Sequence, residues 1–241
     1  MSRHVLLNNN DHKDLRIITA HGPQYGDEVM AALTFPAEFR NVQSHYPIVF
    51  QKTADGTGFV PLALFGLREG ENLFLRDGRW DAPYIPLAIE RQPFLVGFDG
   101  AEPMVHVDLD SPRVSTTQGE PVFLPFGGMS EYLERISSVL LTLHEGVQST
   151  PAFIAALLEH RLLEPFALDL TLPDGSQHRW GGFYTIHEER LARLDGAALE
   201  RLQRAGHLLP IHMVLASMGR LRDLADRAEQ RRREAATACV N

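Results

Sequence analysis

Apolar runs of strand length follow one another from Tyr46 to Leu109, and turn chemistry separates them. Pro47 to Phe50 precedes Asp55-Gly56-Thr57-Gly58, Phe59 to Leu67 precedes Glu69-Gly70-Glu71, and Asn72 to Arg76 precedes Asp77-Gly78. Glycine reaches left-handed backbone without steric cost and Asp bonds to nearby amides, so such clusters reverse the chain. No helix-length segment lies between these runs to carry a parallel crossover, which excludes a parallel α/β sheet here. The runs ending at Phe50 and beginning at Phe59 read as a β-hairpin, with Pro61 restricting the second strand to an edge or to its first positions. Short elements at Tyr84 to Ile89, Phe94 to Phe98 and Val105 to Leu109 complete this region. Upstream, Val5 to Leu7 and Leu15 to Ile18 read as strands around an Asn8-to-Asp11 turn, and 27–33 reads as a short helical turn.

Ser111 to Pro125 is polar, contains prolines and lacks periodicity, so it reads as a linker or long loop. Beyond it the spacing becomes helical. Tyr132, Leu133, Ile136, Val139, Leu140 and Leu143 predict a helix over 129–143, capped by Ser130. Pro151 after Ser149-Thr150 suits the first turn of a second helix, over 151–163. Leu168, Leu170 and Leu172 alternate with Asp169 and Thr171, and Pro173-Asp174-Gly175 turns the chain back into His178 to Ile186, a second hairpin. Segments 187–194 and 196–205 read as short helices, with one long helix over about 209–234. The expected class is α+β, a β-rich N-terminal half and a mostly helical C-terminal half with one inserted hairpin. It is expected as a single domain over 1–241, with a possible subdivision into 1–110 and 126–234.

The 241 residues carry a net charge of -8, which argues against general nucleic-acid binding, since phosphates must be met by a basic face. The one cysteine, Cys239, cannot form an internal disulfide. No apolar window reaches membrane-span length, and Asp11 to Asp14 interrupt the N-terminus before a signal-peptide core could form. The expectation is a soluble cytoplasmic protein.

The order VLLNN-DHKDLRI, FP-EF, HYPIVF, PLALFGL, ENLFL, GRWDAPYIPL and QPFLVGF resembles the bacterial SapC-like family, as does GGFYTIHEERLARLDGAALERLQRAGHLLPIHMVLASMGRL. The likeness runs from Val5 to about Leu224. The family takes its name from a surface-layer locus and is distinct from a peptide-transporter permease that shares the name. The resemblance implies an accessory role in a small-molecule or peptide pathway and assigns no catalytic residue.

Trp80, Asp81, Tyr84 and Trp180 are the binding candidates, because Trp and Tyr pair a broad apolar face with a polar tip. The alternative for Trp80 is a core plug, with Pro83 and Pro86 fixing the chain path. The leading expectation is a non-enzymatic binding protein that takes a peptide, protein partner or small ligand near these residues, needs no cofactor and forms a homodimer. The wide apolar stripe from Leu209 to Ala225 is read as core and as the candidate dimer surface. A second reading is a metal-dependent oxygenase. His106 and Asp108 on one strand, with distal His178, would hold iron, and Arg190 would clamp an oxoacid. Against it stands the helical block 130–163, where a barrel would supply strands. A third reading is a self-assembling, surface-layer-related structural protein. Ser217 lies within a helix, a poor place for an exposed nucleophile.

Overall fold

The computed structural model describes residues 3–99, 102–171 and 177–238. The chain begins with strands β1 (His4–Leu6) and β2 (Arg16–Ile17), a 3-10 turn (Pro23–Tyr25) and β3 (Ala31–Leu33). Helix α1 (Phe39–Val42) precedes the hairpin of β4 (Ile48–Lys52) and β5 (Phe59–Leu64). A short pair follows, β6 (Leu75–Arg76) and β7 (Arg79–Trp80), then α2 (Leu87–Glu90), β8 (Phe94–Asp99), β9 (Glu102–Asp108), β10 (Val114–Ser115) and β11 (Glu120–Pro121). The long helix α3 (Glu131–Glu159) leads to β12 (Leu163–Thr171) and β13 (Gln177–Ile186). Helices α4 (Glu188–Ala192), α5 (Gly196–Arg204), α6 (Leu208–Ser217) and α7 (Arg220–Ala238) close the chain. The class is α+β, strand-rich in the N-terminal half and mostly helical in the C-terminal half. No helix among the described residues is long and apolar enough to cross a membrane.

Several elements depart from the sequence reading. Helix α3 is continuous where two helices were expected, with Pro151 in its interior. An interior proline removes one helical hydrogen bond and costs about 3 kcal/mol. Burial of Leu133, Ile136 and Leu140 before it, and of Phe153, Ile154 and Leu157 after it, outweighs that cost. The expected long terminal helix is instead α6 and α7, separated at Met218-Gly219. Segment 27–33 contains a strand, not a helical turn, because β3 pairs with β5. The expected linker contributes β10 and β11, which flank β2, and it buries Val122.

Contacts divide the chain into two compact units. The first joins Met1–Glu28 to Phe74–Glu145. Its sheets are β1-β9-β8, β10-β2-β11 and β6-β7. Its core gathers Leu15, Ile17, Phe94, Val107 and Val122 with Leu133, Ile136 and Leu140, which recur at helical spacing on α3.

The second unit joins Val29–Leu73 to Gly146–Asn241. It is built on a five-stranded antiparallel sheet ordered β12-β13-β4-β5-β3. The hairpin of β4 and β5 forms as expected, closed by a turn in which Gly56 has φ 71°. Pro61, however, lies inside an internal strand rather than at an edge or start. It is tolerated because β3 ends at Leu33, and the Thr34 N–H donates to the Pro61 carbonyl, so the missing proline N–H falls where the neighbouring strand has stopped. β13 pairs with β4 at Phe183–Gln51 and Tyr184–Phe50. Where that pairing ends, the Ile48 N–H donates to Ser217 Oγ at 2.9 Å, and the same hydroxyl donates to the Val214 carbonyl. Ser217 is thus a buried tie between α6 and the sheet.

Candidate functional site

Trp80 sits in β7 opposite Leu75 and is 8% exposed. Its ring stacks on Phe74, with centroids 6.5 Å apart, and meets the edge of His21 at 5.6 Å. Asp81 is exposed, its N–H donating to the Phe74 carbonyl, and Tyr84 is half-buried. Trp180 falls on β13 opposite Leu168, in the second unit, and its side chain lies outside the described residues. Phe74 and His21, both of the first unit, thus lie against the Trp80 indole.

His21 leads to a buried polar cluster that no sequence pattern singled out. Asp27 is 0% exposed and Arg113 is 3% exposed. Arg113 Nη2 donates to Asp27 Oδ1 at 2.6 Å, while Nη1 donates to the carbonyls of Ile18 and Ala20. Asp27 Oδ2 accepts from the Gly22 N–H at 2.9 Å and lies 3.1 Å from His21 Nδ1, which donates in the tautomer that carries its proton there. Tyr25 lies under the guanidinium at 5.5 Å. Burial by itself would raise the Asp27 pKa, but the hydrogen bonds from His21 and Gly22 and the Arg113 charge outweigh it and hold the carboxyl below its ordinary value. Enclosed charges matched this closely form a structural tie between the turn at 23–25 and β10.

His106 and Asp108 share a face of β9. The His106 ring covers Gly97 on β8, where a methyl group would overlap it. Asp108 Oδ1 accepts from the Arg3 and Asp110 N–H groups, and Oδ2 lies 3.9 Å from His4 Nε2. The carboxylate thus holds the turn after β9. The His178 side chain lies outside the described residues, and Arg190 Nη1 reaches the Arg161 carbonyl. Among the described residues no three His, Cys, Asp or Glu side chains are gathered as a cation would require.

The second unit contains an open groove of about 470 Å³. One wall is Leu33, Phe59, Val60 and Pro61, where β5 continues past the end of β3. The other is Val147, Thr150, Pro151, Ile154 and Leu158 of α3. These recur at intervals of three and four, so they form one stripe along the helix. Ile154 is buried, whereas Val147 is 48% and Leu158 44% exposed. Four threonines also line the groove, and each spends its proton internally. Thr34 donates to Glu38, Thr53 and Thr57 to the two oxygens of Asp55, and Thr150 to the Gly146 carbonyl. Pro61 and Pro151 have no N–H to offer. The lining therefore presents methyl and aliphatic surface with few free donors. Its signal in the sequence was the 147–158 stripe, hidden because Pro151 reads as a helix start and leaves Val147 outside any helix.

A family model described as SapC matches residues 7–224, and the chain belongs to that family. No curated protein and no solved structure gives a significant match.

Proposed function

We propose that this SapC-family chain is a binding protein that takes a small apolar ligand in the groove between β5 and the second half of α3. The observation that carries the reading is the groove itself, a 470 Å³ apolar hollow whose threonine protons are already spent. That volume lies within the range of small-molecule sites. A polar ligand would lose its hydration there and find few partners, at a cost of about 1–3 kcal/mol for each unsatisfied group. An aliphatic or aromatic group loses nothing comparable and gains about 0.8 kcal/mol for each methylene removed from water.

The test is a calorimetric titration with a homologous series of n-alkanols. Affinity should rise about fourfold per added methylene until the groove is full. The double rim variant Val147→Asp, Leu158→Asp changes two exposed positions, so the fold should survive, and affinity should fall at least about tenfold. Affinity that is independent of chain length, or unchanged in the rim variant, would sink the proposal.

A further inference from the structure

The first unit has a second hollow, of about 250 Å³, lined by His4, Arg91, Gln92, Pro93, Asp108 and Ser111 among others. Arg91 follows α2 and is half-buried, and its Nη1 donates to the Phe94 carbonyl at 2.6 Å. Among the described side chains no carboxylate comes within 4.0 Å of its guanidinium. The contrast with Arg113 in the same unit is direct, since that guanidinium has Asp27 at 2.6 Å. Burial accordingly draws the Arg91 pKa below its ordinary value, and no neighbouring acid offsets the effect. A guanidinium offers five N–H donors in a planar fork, so most of this one's capacity is unspent.

The surrounding groups suit an anion. Ser111 Oγ accepts from the Arg113 N–H at 3.3 Å, which leaves its own proton to donate, and Gln92 brings an amide. Asp108 is the one acidic group of the lining, and its Oδ1 already takes two backbone N–H groups.

We infer that this hollow binds a small anion carrying a carboxylate or phosphate group, held by the fork of Arg91 with help from Ser111 and Gln92. The site is independent of the apolar groove and would stand if the groove bound nothing. Its specificity comes from bidentate geometry, and Asp108 limits its affinity by like charge.

The experiment is a titration of the full chain with inorganic phosphate and, separately, with acetate, followed by backbone amide NMR. Saturable shifts at residues 91, 92, 108 and 111 are expected with at least one probe, and the probe that produces them distinguishes phosphate from carboxylate recognition. Arg91→Gln should weaken binding about 10- to 100-fold, and Asp108→Asn should tighten it. No saturable shift with either probe, shifts confined to other residues, or undiminished affinity in Arg91→Gln would overturn the assignment. The mapping on the unaltered chain does not depend on any variant folding.

Discussion

Replacing Asp27 with Asn tests the buried cluster with almost no change of shape. The carboxylate accepts from Arg113, His21 and Gly22 through its two oxygens. Asn keeps one oxygen and turns an NH₂ group toward donors on the other side. Arg113, 3% exposed and with its Nε already lacking a partner, is left as an uncompensated charge. Removing one member of such a pair costs about 3–5 kcal/mol. At about 2–4 °C per kcal/mol for a chain of this size, the midpoint should drop by roughly 6–20 °C. Trp80 lies 5.6 Å from His21, so its fluorescence in a Trp180→Phe background reports the unit concerned. The double variant Asp27→Leu, Arg113→Met should recover most of the loss, because it removes both charges together. Acid should erase the difference. The folded pKa of Asp27 lies below the ordinary 3.8, so its contribution is complete above about pH 4 and disappears as the pH falls through the folded value. A drop under about 3 °C at neutral pH, or a deficit that persists unchanged in acid, would refute this account.

Two further substitutions separate local preference from packing. Gly146→Ala should stabilise a helix interior by about 1 kcal/mol on propensity, but here a methyl group would overlap the buried Phe35 ring. We expect destabilisation of about 1–3 kcal/mol, and a raised urea midpoint would show the overlap to be unimportant. Ser217→Ala should cost about 1–3 kcal/mol, because it leaves the buried Ile48 N–H without its acceptor. Faster hydrogen exchange at the Ile48 amide is the direct readout, and unchanged exchange there would mean that the tie does not matter.

Much of the local structure was legible because its causes are local. Asp55 and Gly56 close the β4–β5 hairpin, and the alternation over 168–171 falls on β12, while Leu172 and the expected turn at 173–175 lie outside the described residues. The Leu133, Ile136 and Leu140 stripe belongs to a helix wherever it is read. Pro151 misled because its first-turn preference is also local, whereas the burial that carries α3 through it is not.

By itself the sequence determined the α+β class, the two hairpins, the family likeness and the lack, among the described residues, of a helix long and apolar enough to cross a membrane. All of these rest on residue type, charge and spacing within short windows. Tertiary structure alone decided that β13 joins β4 across more than a hundred residues, that Trp80 meets Phe74 and His21, and that Asp27 finds Arg113. It also decided that the 147–158 stripe is left half-covered beside β5, and that Arg91 is half-buried with no carboxylate within 4.0 Å among the described side chains. An apolar or charged side chain states what it needs, but distant segments determine whether that need is met. Both proposed sites arise where that need is only partly met: a half-covered stripe and a guanidinium with no carboxylate within 4.0 Å among the described side chains.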